Sequence, residues 1–161
     1  MKKTIFIYFS YSGDNDTLAN ILKSEIDCDI LKLEAEKEYT LNSMKILFQG
    51  GKESIRKETP SLKPYSFDPE QYDYIIFGTP VWAWSFAPVI RTFLSNTTIS
   101  NKNILLTCTH RGSVGSTISN FTENLPNNQI VLEREIHAPI ENNDKVSKLI
   151  EDIKLNINYH K

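Results

Sequence analysis

Three short polar stretches of this 161-residue chain group side chains that can bind small anionic or aromatic molecules. The first, "SYSGDNDT" from Ser10 to Thr17, follows an apolar run that stops abruptly at Phe9. Hydroxyls at Ser10 and Ser12 and the small Gly13 precede a helical pattern. A helix N-terminus presents unpaired N–H groups and a positive dipole end. Such a bend can hold a phosphate without any lysine. The same residues also suit ordinary capping, for which Ser, Asp and Asn are the usual side chains. The second stretch, "GTPVWAWS" from Gly78 to Ser85, carries Trp82 and Trp84 where loops are normally polar. Two indoles there offer surfaces for stacking on a planar ring, or they pack on neighbouring loops and helices. The third, "THRGSVGS" from Thr109 to Ser116, contains Gly112 and Gly115, which permit unusual backbone angles and close approach. Its backbone N–H groups can meet the polar edge of a ring. The plain alternative is a strand-to-helix turn capped by Ser113.

The elements that must position these loops are legible as an alternation. "TIFIYF" is a continuous apolar run, as expected of a strand buried on both faces. Helical spacing follows at Leu18, Ile21, Leu22 and Ile26, and "DILKLE" reads as a second strand. Leu41, Met44, Leu47 and Phe48 predict a short helix ended by Gly50 and Gly51. The stretch 52–69 predicts a helical turn and then loop. "YDYIIFGT" is a third strand, and Pro88 is placed as a first-turn proline ahead of Val89, Ile90, Phe93 and Leu94. "NILLTCT" is a fourth strand, Val114, Ile118, Phe121 and Leu125 mark a helix, and "QIVLEREI" is a fifth strand. Val146, Leu149, Ile150, Ile153 and Ile157 form a closing amphipathic helix. Five strands alternating with helices predict one α/β domain over 1–161: a doubly wound parallel sheet with helices on both faces. Its ligand belongs at the carboxyl ends of the strands, in the loops after the first, third and fourth.

Composition narrows the function. Apolar residues make up 40% and charged residues 24% of the chain, and the net charge is −2. No basic field or lysine–arginine run calls for a nucleic-acid partner. No apolar stretch approaches the roughly 20 residues that span a bilayer. The opening "MKKTIFIYFSYSG" has lysines before an apolar run, as a signal peptide does. That run is short, holds Tyr8 and Ser10, and continues into a helix, so it predicts the first strand of a cytoplasmic protein. Cys28 and Cys108 are far apart and have no ligand-spaced neighbours, which disfavours zinc and redox-dithiol chemistry. His137 and His160 give no functional signal. There is no G-x-G-x-x-G and no Walker lysine. Asp14 and Asp16 come too late in their loop for a receiver domain.

Taken together, the first loop suits a phosphate, the second a flat ring and the third that ring's polar edge. That combination describes flavin mononucleotide (FMN) lying across the top of the sheet. The sequence resembles the flavodoxin-like family of FMN-binding proteins over nearly its whole length. Ser10, Ser12, Gly13, Leu18 and Ala19 match the family's S-x-T/S-G-N-T loop and the hydrophobic–alanine pair behind it. Thr79, Pro80, Val81, Trp82, Pro88, Thr92, Phe93 and Leu94 match its T-P-V-W-x-x-x-x-x-P-x-x-x-T-F-L block. "THRGSVGS" is similar to its glycine-containing third loop.

The resemblance implies a five-stranded sheet of order 2-1-3-4-5. It implies FMN contacts from Ser10, Tyr11, Ser12, Gly13, Asp14 and Asn15, from Thr79, Pro80, Val81, Trp82, Ala83 and Trp84, and from Thr109, His110, Arg111, Gly112 and Gly115. Arg111 is placed to stabilise a reduced, anionic flavin or to reach a substrate; His110 and Arg111 also suit exposed loop positions.

Two departures stand out. Asn15 replaces a threonine that touches the phosphate in the family, and Asp14 and Asp16 add negative charge beside it. Trp84 stands where many relatives have glycine, at a peptide that flips beside the flavin; tryptophan resists the positive φ this needs, which implies weak stabilisation of one-electron-reduced flavin.

Three functions follow: an electron-transfer flavodoxin working with redox partner proteins, an NAD(P)H-dependent FMN or quinone reductase with a small acceptor, and a flavodoxin-fold binding module without FMN. A monomer or a homodimer suits any of them.

Overall fold

Strand β1 (Thr4–Tyr8) is buried at all five positions, because both faces of the sheet it belongs to are covered. The computed structural model describes residues 2–39, 43–138, 140 and 143–159. Within them, α1 (Asp14–Glu25) follows β1, and β2 (Cys28–Lys32) and α2 (Ser43–Ile55) come next. The chain continues through β3 (Tyr74–Trp82), β4 (Ser85–Phe86) and α3 (Pro88–Asn96). It closes with β5 (Asn103–His110), α4 (Thr117–Glu123), β6 (Gln129–His137) and α5 (Asn143–Tyr159).

Five strands form a parallel sheet in the order β2-β1-β3-β5-β6. Counted without β4, this is the expected order 2-1-3-4-5. Strand β4 is an addition to the expected five. It pairs antiparallel with the end of β3, Val81 opposite Phe86 and Trp82 opposite Ser85. Two residues carry no periodicity that a sequence reading can detect.

Successive side chains of a strand point to opposite faces, and the core divides accordingly. Ile5, Ile7, Ile75, Phe77, Ile104 and Leu106 face Val89, Ile90 and Phe93 of α3 and Phe121 of α4. Phe6, Tyr8, Tyr74, Ile76 and Leu105 face Leu18 and Leu22 of α1 and Val146, Leu149, Ile150 and Ile153 of α5. Burying one phenylalanine of this kind stabilises the fold by roughly 1.5–3 kcal/mol. Gly78 belongs to this packing: a Cβ there would come 2.5 Å from the ring of Phe6.

Helix α2 departs from expectation. The two glycines expected to end it lie inside it, and it runs on to Ile55. A Cβ at Gly50 would lie 2.6 Å from the Trp82 ring, so Gly50 is there to admit an indole against the helix backbone. Leu41, assigned to this helix by its spacing, lies outside the described residues. Pro88 does open α3. Helix α1 starts at Asp14, a turn before the apolar spacing at Leu18. Helix α4 is shorter than its apolar spacing, leaving Val114 and Leu125 outside it. None of the described helices is long and apolar enough to cross a membrane. Cys108 is fully buried and Cys28 half-buried, and burial pushes their thiols up to about 12 and about 11.

Candidate functional site

The carboxyl ends of β1, β3 and β5 carry the three loops to one edge of the sheet, and particular contacts tie them together. In the first loop the chain turns at Gly13, whose φ of 91° is left-handed. Gly13 is the N-cap of α1 and has no side chain to cap it. The Ser10 hydroxyl accepts the N–H of Asp16 at 3.3 Å instead. Ser12, exposed, donates its hydroxyl to Asp14 Oδ2 at 2.5 Å. Tyr11 is half-buried, its ring edge-on to Trp82.

Both acids of this loop are paired, and Asp14 is withdrawn from solvent. Asp14 is buried and also accepts from Arg111 Nη2 at 3.0 Å and from the Ile140 N–H at 3.2 Å. Asp16 accepts from the Tyr8 hydroxyl at 2.9 Å and pairs with Lys32 at 2.7 Å. Burial opposes its charge, but hydrogen bonds from Lys32 and Tyr8 hold its carboxyl below the usual range.

Asn15 lies beneath the loop, 1% exposed. Its amide donates to the Phe9 carbonyl at 3.0 Å and reaches Thr109 Oγ1, in the third loop, at 3.5 Å. Its Oδ1 is buried without a hydrogen-bond partner among the described residues. A buried acceptor left unpaired costs on the order of 1–3 kcal/mol, so a ligand hydroxyl beside it would be favoured.

The second loop is a hairpin. Ala83 and Trp84 connect β3 to β4, and both have positive φ, 49° and 60°. Two consecutive positive values in a two-residue hairpin are the signature of a type I′ turn. The expectation that tryptophan refuses this conformation is therefore corrected: the hydrogen-bonded pair Trp82–Ser85 fixes the turn, and Trp84 takes the angle the turn demands. Thr79, fully buried, accepts the Ala87 N–H at 2.9 Å and donates to the Pro80 carbonyl at 2.9 Å, bracing the hairpin from below. Pro80 and Val81 are half-buried.

The two tryptophans have different surroundings. Trp82 is edge-on to Phe9, Tyr11 and Tyr39, with Gly50 against its ring. Trp84 is 64% exposed and lies against Gly115.

In the third loop Gly115 has a φ of 52°, and its N–H donates to Ser113 Oγ at 3.2 Å. The N-cap of α4 is Ser116 and not Ser113. The His110 ring lies against that of His137, with Nε2 3.8 Å from Glu135. Its Nδ1 lies 2.8 Å from the Gly112 carbonyl and, since a carbonyl only accepts, carries the proton.

Ser10, Ser12, Gly13, Asp14 and Asn15 are thus brought together with Thr109 and Arg111, while Trp84 meets Gly115. Sequence reasoning missed Ile140 as a partner of Asp14, because a backbone N–H leaves no mark in residue type. A Cβ at Gly13 or Gly112 would meet nothing within 4 Å among the described residues, so the backbone is uncrowded at both glycines. The uncrowded backbone at these glycines, the orphan acceptor of Asn15 and the exposed indole fit a molecule with a polar tail and a flat ring. A cavity of about 390 Å³ adjoins the first loop, lined by Ser10 and Tyr11 and by Lys32, Glu34, Lys37 and Tyr39 among others.

A family model described as Flavodoxin matches residues 3–153. Among solved structures, the flavoprotein of Lactobacillus acidophilus NCFM in complex with FMN aligns with a TM-score of 0.74 at 23% identity, over 92% of this chain and 98% of its own. A Bacteroides eggerthii protein aligns with a TM-score of 0.79 at 21% identity, over 98% of each chain. Oxidised flavodoxin 1 of Bacillus cereus aligns with a TM-score of 0.59 at 15% identity, over 95% of this chain and 97% of its own. These likenesses establish a shared fold. No curated protein matches the chain significantly.

Proposed function

We propose that this chain, which belongs to the flavodoxin family, is an FMN-binding redox protein that carries electrons between protein partners. The observation that carries the reading is the convergence of the three loops at one sheet edge. Arg111 reaches Asp14 from the third loop to the first, and Trp84 reaches Gly115 from the second to the third. The crystallised FMN complex of the Lactobacillus relative, which shares the fold, supports the choice of flavin.

On this reading the Ser10 and Ser12 hydroxyls and the first turn of α1 bind the phosphate, with the helix dipole supplying the attraction. Asn15 offers its unpaired Oδ1 to a hydroxyl of the linker between phosphate and ring. The exposed Trp84 indole covers the ring, and Gly112 gives its uncrowded backbone to the ring's polar edge. FMN supplies the capacity to take up and release electrons; the protein binds it, orients it and keeps water from one face.

Titrating the purified chain with FMN and following flavin fluorescence tests the reading. Saturable quenching below about ten micromolar is expected, corresponding to roughly 7 kcal/mol of binding free energy. Absence of binding at tens of micromolar would instead assign the fold to a non-enzymatic binding module.

A further inference from the structure

Asp14 brings a carboxylate into the loop that the proposed function gives to a phosphate. The protein does not leave that charge to solvent, for Asp14 is only 9% exposed. Among the described residues, three donors meet the carboxylate. The Ser12 hydroxyl, at 2.5 Å, and the Arg111 guanidinium, at 3.0 Å, share Oδ2, and the Ile140 N–H reaches Oδ1 at 3.2 Å. Of these, Arg111 alone carries a positive charge. Asp16, the loop's other acid, has its own cation in Lys32 at 2.7 Å. Each acid of the first loop is thus matched by one base, and the base for Asp14 comes from 97 residues further along the chain.

Unmatched carboxylate and phosphate charges a few ångströms apart repel, and the partly buried setting of Asp14 screens this less than water would. We propose that Arg111 is a positioning residue whose task is to neutralise Asp14, so that the first loop accepts a phosphate dianion. On this account Arg111 acts on the tail of the ligand through Asp14 and does not hold the ring. The proposal rests on the FMN reading of the site. It makes a distinction that direct ring contact does not: loss of Arg111 penalises a phosphorylated flavin and spares an unphosphorylated one, and removal of the Asp14 charge cancels the penalty.

The test is a set of fluorescence titrations of FMN and riboflavin at low salt with the wild type, Arg111→Gln, Asp14→Asn and the double variant. Arg111→Gln is expected to weaken FMN about tenfold, the size of a lost charge-assisted contact. Riboflavin affinity is expected to stay within about twofold, as for an exposed charge that acts on no partner. The double variant is expected to recover FMN affinity to within about threefold of the wild type, because the carboxylate that needed a cation is gone. Arg111→Lys, which keeps the charge, is expected to lose less than Arg111→Gln. Equal weakening of both flavins, or no recovery in the double variant, overturns the proposal alone. A wild-type chain that binds neither flavin overturns the FMN reading and this proposal with it.

Discussion

Trp84 lies against Gly115 across the mouth of the site, so closely that a Cβ at position 115 would come 2.4 Å from the Cβ of Trp84 and 2.7 Å from its Cδ1. Gly115 also has a φ of 52°, so two constraints coincide on one glycine. Gly115→Ala is expected to destabilise the protein by about 1–3 kcal/mol through overpacking and left-handed strain. Urea unfolding measures the loss.

The turn that carries Trp84 uses residues ill suited to its angles. Asn-Gly is the preferred pair for a type I′ hairpin. Ala83→Asn combined with Trp84→Gly is therefore expected to stabilise the apoprotein by about 1 kcal/mol, or roughly 2–4 °C in Tm. If the indole covers the flavin, the same variant should bind FMN more weakly, separating stability from function. Calorimetry and flavin titration read the two effects.

Gly50 invites a test by reversal of sign. In an exposed helix interior, Gly→Ala gains about 1 kcal/mol. Here the 2.6 Å approach to Trp82 should make Gly50→Ala destabilising by about 1–3 kcal/mol. In a Trp82→Ala background that obstacle is absent, and Gly50→Ala should become stabilising. A double-mutant cycle on unfolding free energies decides the matter.

Asp16 gives a dependence on acid. Its carboxyl is held below the usual range, so its contribution to stability is present above about pH 4 and is lost as pH falls through the folded value. The carboxylate is 38% exposed, which limits the effect to about 0.5 kcal/mol. Asp16→Asn should thus be less stable than the wild type near neutrality, with the difference closing below pH 4. Tyr8 acts at the opposite end: burial first, then its bond to Asp16, raises its hydroxyl well above the ordinary value near 10. Its contribution is present below about pH 10 and is lost at higher pH. Thermal melts across pH follow both limbs.

The electron-carrier reading predicts that NADPH bleaches the FMN-loaded protein only slowly. Stopped-flow mixing under anaerobic conditions should show no rapid loss of flavin absorbance. A fast phase that saturates with NADPH concentration would move the assignment to a reductase.

These predictions also mark what sequence could and could not convey. The parallel strands were readable because burial on both faces leaves uninterrupted apolar runs, as in "TIFIYF" and "NILLTCT". The loops were readable because the carboxyl edge of such a sheet is where ligands lie. The course of α2 was misread because glycine has two uses, breaking a helix and admitting a close neighbour, and the neighbour Trp82 is distant in sequence. The turn at Trp84 was misread for a related reason: residue preference argues against a positive φ there, and the β3–β4 pairing overrides it. The fate of Asp14 was largely hidden, since only Ser12 among its three partners is a sequence neighbour and the other two, Arg111 and Ile140, lie 97 and 126 residues away.

Strand β3 outlasts the strand beside it. Its pairing with β1 ends at Gly78, yet it runs on to Trp82 and folds back through β4. The jaw that carries the exposed indole is thus anchored by a backbone ladder along its length and by Thr79 at its root. A hairpin braced in this way resists bending. Any widening for an entering cofactor is therefore expected from the opposite side, the 111–116 stretch, where Arg111 and both glycines reside. Rates of cofactor capture and release should therefore respond to substitutions on that side far more than to any within the hairpin's hydrogen-bonded arms.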